Sequence, residues 1–380
     1  MITAALDDVA RWAAAAGLDA HGVTDAAPFD EARMRIDERK AAGLHAGMYF
    51  TYGKPERSTD PTHLLDGARS IVVGALLYRR DRVEQMPGGP RAAVARYVWE
   101  PYYDQLHDRL EVVAAELRSI GAAAVVVLDD NRMVDRAAAY RAGLGWFGKN
   151  TNLLSDDLGS WFVLGSVVTD AVIEPANTPM ADGCRSCNRC QVACPTGALD
   201  TAGVLDARRC LAWLVQAAGT FPPQFREALG DRIYGCDDCQ AVCPPNVRDE
   251  RTRSVPVVAD DATTTVDLLE LLRSSDDELT AQYGQWYIPR RRPEYLRRNA
   301  LVALGNVAEP RRELANGRGA DVDEVLVRML QSKHVVEVGH AIWAARRLGR
   351  DELVSRCVTG GTASLDPAIV AELDRSVPSR

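Results

Sequence analysis

The sequence predicts an α+β protein built from an N-terminal α/β segment over residues 1–175, a cysteine-dense segment over 176–255 and an all-helical segment over 260–380. Three observations predict it. Short apolar runs alternate with helical periodicity up to about residue 175. Eight of the nine cysteines fall between Cys184 and Cys243. The last third of the chain carries only helical patterns.

The elements follow in order. MITAALDDVARWAAAAG reads as an amphipathic helix ending at Gly17. It lacks a basic start and carries Asp7 and Asp8 early, which argues against a secretory signal. SIVVGALLY (Ser70–Tyr78), AAAVVVLDD (Ala122–Asp130) and SWFVLGSVVT (Ser160–Thr169) are short apolar runs that read as buried strands. Between the first two, YYDQLHDRLEVVAAELRSIG has apolar residues at helical spacing and stops at Gly121. The stretch from 176 to 250 shows little hydrophobic periodicity, so its stability is expected to come from bound metal. Further on, RRNALVALGNV (Arg297–Val307) and HAIWAARRLGR (His340–Arg350) are alike, with Gly305 and Gly349 standing 44 positions apart. HEAT-type helical repeats have a period of about 40–47 residues. An unrelated helical bundle fits the same pattern.

A chain of 380 residues suggests two or three domains. Its 47% hydrophobic and 26% charged residues are an ordinary globular balance. The net charge of −8 means that a polyanionic partner needs a local basic patch. No run approaches the 18 or so apolar residues of a membrane span.

The cysteines carry the chemistry. CRSCNRCQVACP (Cys184–Pro195) spaces four of them as C-x2-C-x2-C-x3-C, followed by proline. Cys210 and then CDDCQAVCP (Cys236–Pro244) supply four more. A disulfide framework would be spread more evenly along a small secreted chain. Zinc sites pair C-x2–4-C units, two pairs to a metal. A run of four closed by C-P is instead the bacterial ferredoxin pattern, whose fourth cysteine crosses to the other cluster. The middle segment is therefore expected to be a ferredoxin-like domain with two 4Fe–4S clusters. By the crossing rule, Cys184, Cys187, Cys190 and Cys243 hold one cluster, and Cys194, Cys210, Cys236 and Cys239 hold the other. Two clusters in tandem read as an electron path. Cys357, alone near the C-terminus, is expected to be a buried structural thiol.

RAGLGWFGKN (Arg141–Asn150), LGSWFVLGSVVTD (Leu158–Asp170), the cysteine run and GDRIYGCDDCQAVCPPN (Gly230–Asn246) stand in an order that closely resembles the epoxyqueuosine reductase family. The resemblance spans roughly residues 1–350 and extends to the helical repeats. It implies a cytoplasmic, cobalamin-dependent enzyme that reduces an epoxide on the modified wobble base of tRNA to an alkene. It also implies an N-terminal cobalamin-binding domain, a two-cluster domain and C-terminal HEAT-like repeats, and a likeness to reductive dehalogenases in cofactor and clusters. A monomer and a low-potential electron donor of flavodoxin or ferredoxin type go with it. Such a reaction needs electrons that side chains cannot supply and a reduced corrin can.

The resemblance also implies site residues. The family has an acid in a V-D-[ST]-G-type segment before RAGLGW. Counting back from Arg141 puts Asp129 on it, with Asp130 and Asp135 as near alternatives. A carboxyl desolvated in a closed pocket holds its proton near neutral pH; the plain alternative is a helix N-cap. Here Asp130-Asn131-Arg132 departs from the small Ser/Thr-Gly pair. Three glycines, Lys149 and Asn150 in RAGLGWFGKN are expected to approach the corrin ring and its amides or phosphate. Arg57, Arg96, Leu153, Leu164 and Gln216 fall where the family places cofactor contacts. Tyr103 stands where the family often has His. DAHGVT (Asp19–Thr24) begins like a cobalt lower-ligand motif but has Thr24 in place of Gly, so a base-off cobalamin is expected.

A tRNA partner requires cationic surface. IPRRRPEYLRRN (Ile288–Asn299) holds Arg290, Arg291, Arg292, Arg297 and Arg298, with Trp286, Tyr287 and Tyr295 interleaved. Arginine grips phosphate, and aromatics stack a splayed base. Arg346, Arg347 and Arg350 extend the group. Two other readings stand beside this one: a corrinoid iron–sulfur reductase of a small molecule, as in reductive dehalogenation, and a non-catalytic ferredoxin-like electron carrier.

Overall fold

The structure is a computed structural model that describes residues 2–80, 89–175, 178–252, 257–259, 261–308, 319–359 and 366–377. The segment boundaries expected at 176, 255 and 260 fall outside these residues. Contacts divide the chain into two compact units, Met1–Asp81 with Glu100–Arg208 and Asp237–Asp260, and Arg82–Trp99 with Arg209–Cys236 and Asp261–Arg380. The cysteine stretch is shared between the two.

The first unit is built on a four-stranded sheet ordered β1-β2-β7-β4: β1 (Ala20–Asp25), β2 (Ser70–Leu77), β7 (Phe162–Thr169) and β4 (Ala124–Val127). Each of the three apolar runs forms a strand, shortened by one to five residues at its ends. Every pairing is antiparallel, with Ile71 opposite Val168 and Gly74 opposite Gly165. β2 and β7 are buried along almost their whole length, which explains apolar runs without alternation. On one face lie α1 (Leu6–Ala16) and α4 (Tyr102–Ser119). A Cβ on Gly74 or Gly165 would meet Leu110 of α4 at 2.9 or 2.6 Å, so this glycine pair lets the helix close on the sheet. On the other face, Ile71, Val73, Ala75 and Val168 share a core with Phe29, Ile36 of α2 (Asp30–Ala41) and Ala138, Ala139 of α5 (Asp135–Arg141). Alternate strand residues thus serve opposite layers.

The sequence-predicted ends hold. α1 stops at Gly17, whose φ of 74° suits a residue without Cβ. α4 ends before Gly121, at φ 90°. The unit also contains α3 (Pro55–Ser58), the short β5 (Trp146–Phe147) and β6 (Leu153–Leu154) pair, and α6 (Arg189–Ala193) packed against α9 (Asp238–Ala241), with α10 (Pro244–Thr252) behind it.

The second unit holds a small sheet in which β3 (Arg91–Val94) lies between β8 (Arg232–Tyr234), parallel, and β9 (Thr265–Asp267), antiparallel. Two short helices, α7 (Leu211–Leu214) and α8 (Arg226–Leu229), precede β8. The rest is helical: α11 (Leu268–Arg273), α12 (Asp276–Tyr283), α13 (Glu294–Val307), α14 (Gly319–Leu330), α15 (Val335–Arg347), α16 (Asp351–Val354) and α17 (Pro367–Leu373). Asp267 caps α11, and Ser275 with Glu278 forms a capping box on α12. α13 packs on α15, which also meets α14 and α17. Trp286, Tyr234 and Tyr283 stack in the core, with Tyr234 and Trp286 at 4.7 Å.

Three buried polar groups organise this helical layer. Arg226 is fully buried, and its guanidinium grips Glu372 of α17 with both nitrogens, at 2.5 and 3.1 Å. His340 is buried; its Nδ1 contacts the Val336 carbonyl at 2.6 Å, and its Nε2 accepts the Phe221 amide at 3.1 Å. That pattern requires the neutral ring, protonated on Nδ1. Arg298 is fully buried and donates to the carbonyls of Leu214, Val215, Ala217 and Gly219.

Candidate active site

Asp129 sits just past the end of β4, with φ 45°, a left-handed backbone that costs a non-glycine residue energy. The residue as a whole is exposed, yet its carboxyl is set far enough into the surrounding chain that loss of water pushes its pKa up to about 6. The Asp130 charge adds to this. Asp130 moves the other way. Arg132 gives it three hydrogen bonds, from Nε at 2.9 Å, Nη2 at 2.7 Å and the backbone amide at 2.9 Å, and these lower its pKa. Asp135 opens α5. Burial first, and then the Asp129 charge, raise its pKa well above the carboxylate range, against the pull of Arg136. Its Oδ1 is buried without a hydrogen-bond partner among the described residues. The loop therefore joins two carboxyls that favour their protons to one held ionised. Asp129 caps no helix here; α5 begins six residues later.

The Gly-rich segment packs closely on its neighbours. Gly143 takes φ 77° just past the end of α5. A Cβ on Gly145 would strike the Leu154 carbonyl at 2.1 Å, and one on Gly148 would strike the Leu154 side chain at 2.6 Å. These glycines let the segment close on β6. Lys149 donates to the carbonyls of Arg185 at 2.6 Å and Cys187 at 2.9 Å. Asn150 is buried; its amide reaches the Cys239 carbonyl at 3.5 Å and its Oδ1 accepts the Asn152 amide. Trp146 packs with Leu154 and Cys243, and Cys184 lies against them. The segment GWFGKN is thus a saddle for the cysteine loops, a role that its glycines and lysine alone do not announce.

Cys243 lies among Cys184, Cys190 and Cys187. Burial first, then those three thiols, push its pKa up to about 12. Cys190 is raised by burial, Cys184 and Cys187. Cysteines whose thiolates repel one another in this way are the kind of donor set that a positively charged iron centre relieves. Among the described residues no three Cys, His, Asp or Glu side chains are drawn tightly enough to cage a single ion. Cys194 and Cys239 belong to the first unit, Cys210 and Cys236 to the second. Cys210 is the N-cap of α7. Cys357 is only half-buried, against expectation, in the turn Ser355–Thr359.

The remaining residues scatter. Arg57 is exposed on α3. Leu153 and Leu164 are buried in the core of the first unit. In the second unit, Arg96 lies over the Trp99 ring at 5.9 Å and Gln216 reaches the Tyr97 hydroxyl at 3.4 Å.

The arginine group needs correction. Arg290, Arg291 and Arg292 are exposed, and the first two have left-handed backbones, φ 55° and 53°. Arg292 pairs with Glu294. Arg297 and Arg298 are buried and cannot reach a phosphate. Arg297 pairs with Asp276 and Glu337 and donates to the Ser274 carbonyl. Trp286 is core, whereas Tyr287 is 57% exposed. Arg346 holds the carbonyls of Glu372, Leu373 and Arg375, while Arg347 and Arg350 pair with Glu227 and Asp323. That second group builds the helical layer. No helix among the described residues is long and apolar enough to cross a membrane.

Residues 183–246 match the family model described as a 4Fe-4S double cluster binding domain. An epoxyqueuosine reductase of Bacillus anthracis is 31% identical over 379 residues, covering 97% of this chain and 96% of the relative. A crystal structure of epoxyqueuosine reductase with an epoxyqueuosine-modified tRNA-Tyr stem loop superposes with a TM-score of 0.84 at 28% identity, over 97% of this chain and 96% of that one. The Bacillus subtilis enzyme, described with its aspartate catalytic loop swung out of the active site, superposes at 0.83 with 29% identity, over 97% and 96%.

Proposed function

The chain belongs to the epoxyqueuosine reductase family, and from that premise we propose that it reduces epoxyqueuosine to queuosine at the wobble position of tRNA, drawing electrons through two 4Fe–4S clusters to a base-off cobalamin. Asp129 carries this reading. It is a carboxyl that keeps its proton up to about pH 6, on the loop where the family resemblance puts the acid.

The donor set fits the clusters. Cys184, Cys187, Cys190 and Cys243 are gathered, and binding iron would offset the burial and the mutual repulsion that raise Cys243. We assign Cys194, Cys210, Cys236 and Cys239 to the second cluster on sequence order alone. Buried polar atoms without a partner among the described residues border the same segments, Trp146 Nε1 and Asp135 Oδ1. They suit a cofactor rimmed with amides and a phosphate. Arg57 would meet the phosphate, and Asn150 an amide. Cobalamin, when bound and reduced, supplies the electron pair that side chains cannot.

Converting the epoxide to an alkene takes up two electrons and two protons and releases water. Asp129 donates to the departing oxygen as general acid. Asp135, whose pKa burial raises, stands beside it as a second carboxyl able to hold a proton. Asp130, held ionised by Arg132, discourages Asp129 from losing its proton early. Arg290, Arg291 and Arg292 offer charge for tRNA phosphates and Tyr287 an exposed ring for stacking. We read the helices of residues 268–373 as HEAT-like repeats.

The test is turnover. The protein, made anaerobically, loaded with cobalamin and reduced, is given tRNA carrying epoxyqueuosine. Nucleoside mass spectrometry is expected to find loss of one oxygen. An unchanged nucleoside, with both clusters and cobalamin in place, would overturn the reading.

A further inference from the structure

The segment that departs from the family pattern, Asp130-Asn131-Arg132, is tightly organised. Arg132 wraps back on Asp130 through backbone and guanidinium together, which closes the turn on itself. The Met133 amide adds a bond to the Asp130 carbonyl at 3.3 Å. Asn131 points the other way. Its Oδ1 accepts the Thr51 amide at 2.8 Å, across 80 positions of sequence. Thr51 has φ 67°, an outlier for a β-branched residue. Strained backbone flanks this tether, at Thr51 itself and at Asp129, two residues before Asn131. Strained backbone persists where its surroundings over-determine it. The turn around Thr51 is itself fastened, by Gly53 to the Tyr49 carbonyl at 2.7 Å and by Lys40 to the Tyr52 carbonyl at 3.0 Å. Tyr52 packs on the core that contains Met133 and Val134. A Ser/Thr-Gly pair has neither the guanidinium nor the reach to make these bonds.

We propose that Asp130, Asn131 and Arg132 form a brace that holds the Asp129 backbone in one conformation and fastens it to the 49–53 turn, making Asn131 a positioning residue for the acid. The brace rests on reading Asp129 as that acid. It replaces the freedom of a glycine with a fixed loop that needs its partner turn. The chain accordingly meets its substrate with the carboxyl already aimed.

The experiment compares wild type, Asn131→Ala and the isosteric Asn131→Asp, which keeps the acceptor, all loaded with clusters and cobalamin. Amide exchange is read at residues 49–53 and 128–134, beside steady-state kinetics on modified tRNA. Asn131→Ala is expected to speed exchange at the Thr51 amide about fivefold and to lower kcat about tenfold with KM for tRNA unchanged. Asn131→Asp is expected to restore the slow exchange. Equal exchange in wild type and Asn131→Ala would overturn the brace, and so would faster exchange with kcat unchanged. Asp129→Asn, run alongside, separates the two readings. Should it turn over like wild type, the acid assignment fails, while the exchange data still decide whether the brace exists.

Discussion

The Lys149 ammonium lies 2.9 Å from the carbonyl oxygen of Cys187 and 2.6 Å from that of Arg185. One side chain thereby fixes the loop that sets the spacing of the first cysteine run. Arg185, between two cysteines, has φ 46°, so the loop is strained without its anchor. Lys149→Met is expected to leave the fold intact and to lose iron from the Cys184 group, retaining about half the iron of wild type after mild chelation. Lys149→Arg is expected to retain most of it. Iron and sulfide analysis with electron paramagnetic resonance reads the result.

The pH dependence of turnover follows from Asp129. Its folded pKa is raised to about 6, so the proton is present below that pH and lost as pH rises through it. The single-turnover rate is expected to fall as pH rises above about 6. Asp129→Asn should lower the rate by about 10²–10⁴-fold and flatten the profile. A variant with the wild-type profile would assign the acid to another group.

The exposed and buried arginines should separate cleanly. Arg290→Ala with Arg291→Ala is expected to weaken tRNA binding and to reduce the salt slope by about 1 per lost phosphate contact. Arg298→Met should leave the slope of the folded protein unchanged. It strands four carbonyls in the interior and is expected to cost about 3 kcal/mol or more of stability. Binding isotherms at several salt concentrations and denaturant melts distinguish the two effects.

Stability should drop in mild acid because of His340. Burial first, then the Arg226 charge, hold its pKa well below the ordinary value, against the bond to Val336. Below about pH 6.5 the unfolded chain takes up a proton that the folded one refuses, so stability falls with pH, by at most about 1.4 kcal/mol per unit. The melting temperature of His340→Gln is expected to fall less steeply between pH 7 and 5.5 than that of wild type. Parallel curves would remove His340 from the account.

Much of the first unit was legible in the sequence. Runs such as SIVVGALLY and SWFVLGSVVT became the two central strands because both of their faces are covered. Their antiparallel register was not legible, since it depends on pairings such as Gly74 with Gly165 that lie far apart in sequence. The cysteine spacing named its chemistry because ligand geometry is local. The arginines misled because burial is not a property of residue type. Arg298 lies in RRNALVALGNV on the helix face shared with Val302 and Gly305, four and seven residues on, and that periodicity was the available warning. Lys149 was expected at a cofactor, and only the folded chain reveals the two carbonyls it serves.

The pairing of Arg226 with Glu372 has a consequence for synthesis. Arg226 enters the interior long before its counter-charge is made, for Glu372 lies 146 positions later. A nascent chain halted short of α17 would leave the Arg226 guanidinium without its carboxylate, at a cost of about 3–5 kcal/mol. The second unit is therefore expected to gain this stability only once its closing helix has been made.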